Sequence, residues 1–155
     1  MGRNSTISSG TFLLANFVPF RLNRLADAVS QDLSEIYRDR FGLEIPEWRV
    51  LVTVGQRPEC TAQHVAASTR MHKTRVSRAV ASLTKRKLVE RVSCAEDGRE
   101  LRLRLTKAGL RAYEVLVPLA LERERALLAK MSAAHSQGFI AALSQLEDAL
   151  KLNGE

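Results

Sequence analysis

The sequence predicts a mainly α-helical protein with one small β-hairpin, and three patterns carry that prediction. Apolar residues recur at helical spacing over four stretches before residue 90 and two stretches after residue 105. Between them, residues 101–105 (LRLRL) alternate strictly, which is typical of a strand with one buried face. Asp97-Gly98 separates this segment from a short apolar run at 88–92 and is a strong hairpin-turn signal. The predicted order is therefore four helices, a two-stranded ribbon and two more helices.

Local start and stop signals place the first three helices. A long helix is predicted from about residue 11 to 40, beginning or kinked at Pro19 and stopped by Gly42. Pro46 suits the first turn of a short second helix, because proline lacks the N–H that a first turn leaves unpaired. Thr61 is a favourable N-cap for a third helix, TAQHVAAS.

The fourth helix and the hairpin are each predicted to bury one side only. The helix runs from about His72 to Arg86, and helical spacing joins its apolar residues, Val76, Val80 and Leu83.

In the return strand, Leu101, Leu103 and Leu105 are predicted to face the core, and Arg102 and Arg104 to form a cationic face.

The last two helices carry more apolar surface than the middle of the chain can cover. Thr106 caps a long helix to about residue 131 that contains Pro118, and residues 136–150 form the final helix. Exposed apolar stripes promote association, so we expect a homodimer built from the terminal helices. The alternative is that these helices fold back on their own chain.

The positive charge is concentrated in one block. The net charge is +7 and the isoelectric point is about 10.0. The segment from Arg70 to Arg111 contains 13 of the 24 basic residues and only four acidic ones, so it carries +9 and the remainder −2. Such a block suits a polyanionic partner, although most charge runs are simply solvated faces.

Several classes of protein are disfavoured. Cys60 and Cys94 form no zinc-binding or disulfide framework, and no catalytic motif such as HExxH, GxSxG or a P-loop is present. We therefore expect no enzyme activity, no metal and no cofactor. Residues 1–10 are polar and predict a flexible tail, and no apolar run is long enough for a membrane span, so a cytoplasmic location is expected.

Two short helices joined by a tight turn and followed by a hairpin form a winged helix-turn-helix. The second helix would enter the DNA major groove with its N-terminal residues near the bases. The predicted DNA-binding residues there are His72, Lys73, Thr74, Arg75, Ser77 and Arg78. Arg75 and Arg78 are suited to bidentate pairing with guanine. At the hairpin tip, Asp97 and Gly98 would support the turn and Arg99 would enter the minor groove; alternatively, the segment is an ordinary hairpin.

The segments TRVSRAVASLTKRKLVER and EDGRELRLRLTKAGL resemble the multiple antibiotic resistance regulator (MarR) family of transcriptional regulators. Its wing signature is matched by Asp97, Arg99, Leu105, Thr106 and Gly109. The resemblance implies a dimeric repressor whose two recognition helices bind half-sites of a pseudo-palindromic operator. One departure is at position 72, where the family often has a capping serine or threonine and this chain has histidine, a poor cap.

The implied organisation has four parts. They are a flexible tail (1–10), an N-terminal dimerisation helix (11–44), a winged helix-turn-helix DNA-binding domain (45–106) and C-terminal dimerisation helices (107–155).

PFRLNRL and RFGLEIPEWRVL are similar to the branch of the family that responds to aromatic acids or their coenzyme A thioesters. This implies an effector site containing Phe20, Arg21, Arg24 and Trp48, with an aromatic wall and cations for a carboxylate or phosphate. Trp48 also has helical core spacing with Leu51 and Val52.

Two other functions remain open from the sequence. A redox-responsive regulator would use Cys60 or Cys94, although ordinary unreactive thiols explain both residues. A nonspecific architectural DNA-binding protein fits the charge but not the hairpin and the long terminal helices.

Overall fold

The computed structural model describes residues 12–93 and 101–152 of the chain. A short 3-10 turn, Leu14–Asn16, precedes the first helix. The helices and strands in chain order are α1 (Val18–Phe41), α2 (Ile45–Gly55), β1 (Cys60–Thr61), α3 (Ala62–Thr69), α4 (Lys73–Lys85), β2 (Val89–Ser93), β3 (Leu101–Leu105), α5 (Lys107–Leu128) and α6 (Ala133–Ala149). The predicted mainly helical winged helix-turn-helix fold is confirmed.

The small sheet has three antiparallel strands in the order β1-β3-β2. Val89 lies opposite Leu105 in the predicted hairpin, and Cys60 lies opposite Leu103 in a pairing that the sequence analysis missed. The predicted two-stranded hairpin is confirmed, and the additional short strand β1 was not predicted. The reason is physical, since a two-residue strand is too short to show any alternation of apolar and polar residues.

Helix α1 begins at its proline and is not kinked there. Pro19 lies in the first turn, so the helix starts at Val18, later than the predicted residue 11. At the other end Gly42 adopts the left-handed conformation (φ 58°), and its N–H donates to the Arg38 carbonyl at 2.8 Å. Glycine has no Cβ to oppose that conformation, and the predicted stop is confirmed.

Threonine caps begin α3 and α5 as expected. The Thr61 hydroxyl accepts from the N–H of His64 at 3.1 Å, and the Thr106 hydroxyl accepts from the N–H of Gly109 at 3.0 Å. Helix α6 begins earlier than the predicted residue 136, because Ser132 caps it. Each cap satisfies an N–H group that the first helical turn leaves unpaired.

The core is formed where α2, α3 and α4 pack on the sheet and on α5. The predicted stripe of α4, Val76, Val80 and Leu83, is fully buried. The predicted buried face of β3 is only partly correct, because Leu103 is 2% exposed and Leu101 is 51% exposed. Leu101 pairs with Ser93, at the end of the hairpin farthest from the core, so burial decreases along the strand.

Tyr37 links α1 to α2 by stacking on Trp48, with ring centroids 5.1 Å apart and an interplanar angle of 8°. Its side chain is 1% exposed, and this burial raises the pKa of the Tyr37 phenol from 10.0 to about 12. Burial therefore favours the neutral phenol in the folded state.

This burial predicts an alkaline loss of stability. The contribution of Tyr37 is complete below the pKa of the unfolded phenol, 10.0, and is lost as the pH rises towards about 12. A shift of this size corresponds to roughly 2–3 kcal/mol at most. We expect the free energy of unfolding of Tyr37→Phe to fall less than that of the native chain between about pH 9 and about pH 11.5, a range that spans the ordinary pKa of a phenol. Urea unfolding at several pH values measures this loss of stability. Equal losses in the two proteins would contradict the raised pKa of Tyr37.

Among the described residues, none of the helices combines the length and the apolar character that crossing a membrane requires.

Candidate nucleic-acid interface and ligand cavity

The turn between α3 and α4 is short and anchored. Arg70 follows α3 in the left-handed conformation (φ 55°), and the next residue, Met71, is buried in the core. His72 then occupies the N-cap of α4, and its Nδ1 accepts from the N–H of Thr74 at 3.3 Å. The histidine therefore caps α4 although histidine is generally a poor N-cap. A buried methionine on one side and a capped helix start on the other set the direction of α4.

Helix α4 has a buried apolar side and an exposed cationic side. The predicted DNA-binding residues on this helix are all exposed, and they are Lys73, Thr74, Arg75, Ser77 and Arg78. The helix contains no acidic residue, and no carboxylate in the described ranges forms an ion pair with its first-turn lysine or its two arginines. Several unneutralised donors are thus displayed on a rigid helix, as recognition of a polyanion requires.

Two other arginines of the basic block have internal partners. The Arg86 guanidinium donates to the Gly42 carbonyl at 3.0 Å and pairs with Glu47 at 3.7 Å. Arg104 pairs with Glu90 at 2.7 Å, which partly neutralises the cationic face predicted for β3. The block is therefore not one uniform phosphate-binding surface, because at least these two guanidinium groups are engaged within the protein. The predicted wing residues Asp97, Gly98 and Arg99 lie outside the described residues.

A cavity of about 630 Å³ lies between α1, α2, α5 and α6. Most of its walls are apolar, and they include Leu25, Val29, Trp48, Val52, Tyr113 and Val117. Trp48 stacks on Tyr37, as its helical core spacing predicts, and it also lines the cavity. The volume and the apolar lining are typical of a site for a small organic ligand.

Three charged residues also line this cavity, namely Asp32, Arg123 and Glu124. The Arg123 guanidinium pairs with Asp32 at 3.3 Å and with Glu35 at 3.5 Å, and so connects α5 to α1. Sequence reasoning missed Arg123, because 91 positions separate it from Asp32 and no local pattern signals that they meet.

The other predicted effector residues lie elsewhere. Arg21 and Arg24 line a neighbouring groove of about 510 Å³, which shares Leu22, Leu25 and Phe139 with the cavity. Phe20 is not among the lining residues of either space.

Its ring lies under the Arg24 guanidinium, with 5.8 Å between the guanidinium carbon and the ring centroid. This cation–π contact orients Arg24, which lines the neighbouring groove. The structure therefore places Trp48 in one space and the two arginines in the adjoining one.

The described ends of the chain expose much apolar surface. Helix α6 has no buried residue. The exposed apolar side chains near the two ends are Phe12, Leu13, Leu14, Phe17, Val18, Ile140, Leu146, Leu150 and Leu152. Single exposed apolar side chains are common in proteins, whereas groups of them mark association surfaces.

Cys60 is 7% exposed, and burial raises the pKa of its thiol. Since the thiolate is the reactive form, this environment disfavours redox sensing by Cys60. Cys94 lies outside the described residues. No group of three potential metal-ligating side chains occurs within residues 12–93 and 101–152.

Comparison with known proteins agrees with this architecture. A family model described as MarR family matches residues 41–100. A MarR/EmrR family transcriptional regulator from Acinetobacter sp. ADP1 is 27% identical, with a TM-score of 0.79 over 90% of this chain and 99% of that one. The MarR family regulator SPO1453 from Silicibacter pomeroyi DSS-3 is 28% identical, with a TM-score of 0.72 over 88% of this chain and 98% of that one.

A third similar structure, BpsR from Bordetella bronchiseptica, is 20% identical, with a TM-score of 0.78 over 90% of this chain and 99% of that one. Its DNA binding is regulated by 6-hydroxynicotinic acid. No curated protein matches the chain. The family match spans the helix-turn-helix, and the structural similarity extends across the terminal helices. Residues 41–100 thus match the MarR family, and the fold as a whole is similar to winged helix-turn-helix transcriptional regulators of that family.

Proposed function

We propose that this chain is a homodimeric repressor that binds a pseudo-palindromic operator and is released by a small aromatic acid or its coenzyme A thioester. The exposed cationic side of α4 carries the proposal. In a winged helix-turn-helix this helix lies in the major groove, and here its first two turns present donors that no described carboxylate neutralises. In the proposed division, residues 45–106 bind DNA, and 11–44 with 107–155 form the dimer.

The proposed contacts divide by chemistry. Arg75 and Arg78 each have the planar fork that pairs with the O6 and N7 atoms of guanine. Lys73, Thr74 and Ser77 suit phosphates or bases, and His72 lies at the helix start, where phosphates approach. Arg99 is assigned to the minor groove on the resemblance of the wing sequence.

Dimer formation is supported by the exposed apolar side chains at the two ends of the chain. Phe12 and Phe17 pack against each other at 5.5 Å and remain largely exposed, as do Ile140 and Leu146 of α6. A second copy that covers these side chains removes apolar area from water, which favours association by about 25 cal/mol per Å². A two-fold arrangement would also place two α4 helices on one face of DNA.

The cavity is the proposed effector site. It lies between the terminal helices and α2, and α2 packs on α4, so a ligand there is in a position to bias the direction of the DNA-binding helix. Arg86 adds a second connection, since it ties the end of α4 to the end of α1 through Gly42. A ligand that binds more tightly to a dimer with mismatched α4 spacing would lower DNA affinity by a population shift.

Footprinting on the DNA upstream of the chain's own gene tests this function, with gel shifts repeated in the presence of aromatic acids and their coenzyme A thioesters. The expected result is a protected site with an approximate two-fold repeat, bound by two chains and released by a compound of one of these classes. Uniform, strongly salt-dependent binding without a protected site would instead indicate a nonspecific architectural protein. Specific binding that no compound relieves would contradict the effector part alone.

A further inference from the structure

The cavity has a charge balance that bears on its ligand. In its described lining, Asp32 and Glu124 are acidic and Arg123 is the single basic residue. The rest of the lining is apolar or uncharged, with Gln56 and Tyr113 supplying polar groups. The charged part of the lining is therefore net negative.

The single cation is already paired. Arg123 contacts Asp32 at 3.3 Å and Glu35 at 3.5 Å, so two carboxylates share one guanidinium. A ligand carboxylate that approached Arg123 would have to displace one of them, or lie beside both. Either position brings like charges together, and the apolar walls cannot replace the water that a carboxylate loses on entry.

We propose that this cavity selects aromatic ligands whose buried end is uncharged and discriminates against free aromatic carboxylates. The inference rests on the proposed function, and it distinguishes between the two effector classes named there. The acyl end of a thioester carries no charge, whereas a free acid carries its carboxylate next to the ring. Gln56 and the Tyr113 hydroxyl are polar groups suited to a carbonyl or an amide.

The coenzyme A part of a thioester carries negatively charged phosphates, and the neighbouring groove is a separate site suited to them. Arg21 and Arg24 line that groove, and the shared residues Leu22, Leu25 and Phe139 show that the two spaces adjoin. A ligand that extends from one space to the other would keep its charged part at these guanidinium groups, outside the acidic cavity.

A matched pair of probes, 3-phenylpropanamide and 3-phenylpropanoate, tests the discrimination at neutral pH. The two differ only in the charge and identity of the terminal group. Trp48 is the single tryptophan of the chain and lines the cavity, so its fluorescence reports occupancy directly. We expect the amide to bind at least about tenfold more tightly than the carboxylate, which corresponds to about 1.4 kcal/mol. Equal or tighter binding of the carboxylate, or no fluorescence response to either probe, would overturn the proposal.

Freeing Arg123 tests the cause. The double variant Asp32→Asn/Glu35→Gln leaves the guanidinium without its two carboxylates, and carboxylate affinity should then rise about tenfold while amide affinity stays within about twofold. These partners are partly exposed, so their pairing contributes little to stability and the fold should persist. Asp39→Asn, an exposed change on the same helix, is the matched control and should alter neither affinity. Unchanged discrimination in the double variant would rule out Arg123 pairing as its cause.

Operator release, measured separately by gel shift, keeps the two proposals distinguishable. Amide binding without release would support the selectivity and contradict ligand-controlled repression. Tight carboxylate binding with release would support ligand-controlled repression and overturn the selectivity.

Discussion

Gly109→Ala is expected to destabilise the fold by about 3 kcal/mol or more. Gly109 is buried in the first turn of α5, and a Cβ there would overlap the carbonyl oxygen of Leu88 and lie 2.9 Å from its carbonyl carbon. That carbonyl cannot retreat easily, because it accepts from the N–H of Thr106 at 3.1 Å. The Thr106 hydroxyl also donates to the Lys87 carbonyl at 2.6 Å, and this bond fixes the backbone just before β2.

Gly138→Ala is the matched control for this prediction. Gly138 lies within α6, and a Cβ there meets no atom within 4 Å. Because alanine favours a helix interior over glycine, we expect a stabilisation of up to about 1 kcal/mol. Thermal unfolding of the two variants measures both effects, with opposite signs expected. A small effect of Gly109→Ala would show that the contact between α5 and the start of β2 yields to the added methyl group.

Arg78→Ala is expected to weaken binding to the specific operator by about 1–3 kcal/mol, which is about 5–150-fold, and to leave binding to unrelated DNA nearly unchanged. The physical reason is the loss of a bidentate contact with a guanine, which unrelated sequences do not offer in register. The same result is expected for Arg75→Ala. Arg78 gives the simpler test, because Arg75 also lines a groove shared with α1 and α2.

Titration of labelled operator and of scrambled DNA at one fixed salt concentration measures this difference. Arg40→Ala, in the last turn of α1, removes the same charge near the C-terminal end of α4, at the opposite end of that helix from its first two turns, and should change neither affinity appreciably. Equal weakening on both DNAs would identify Arg78 as a phosphate contact and not a base contact.

Features that depend on neighbouring residues could be predicted without coordinates. Pro19, Gly42, Thr61 and Thr106 each act within about four residues, through a missing N–H, a left-handed backbone or a capping hydroxyl. For the same reason the periodic stripe of α4 correctly predicted its buried side and its exposed cationic side.

Contacts between distant segments could not be predicted. Strand β1 exists because Cys60 and Thr61 meet β3 more than forty positions later, and Leu101 is exposed because the core ends before it. Arg86 and Arg104 looked like part of a phosphate-binding surface, and their carboxylate partners became visible only in three dimensions.

The ligand cavity shows the same division most clearly. The spacing of Trp48 with Leu51 and Val52 predicted that it lies on the apolar face of a helix. The same spacing did not show that this face lines a cavity together with α5 and α6. Helical periodicity shows which side of a helix is apolar, and it does not show which other helix covers that side. The pairing of Arg123 with Asp32 and Glu35 arises only when α5 packs against α1. Local chemistry thus accounts for the helices and their polarity, whereas the charge of the cavity results from packing between segments far apart in the chain.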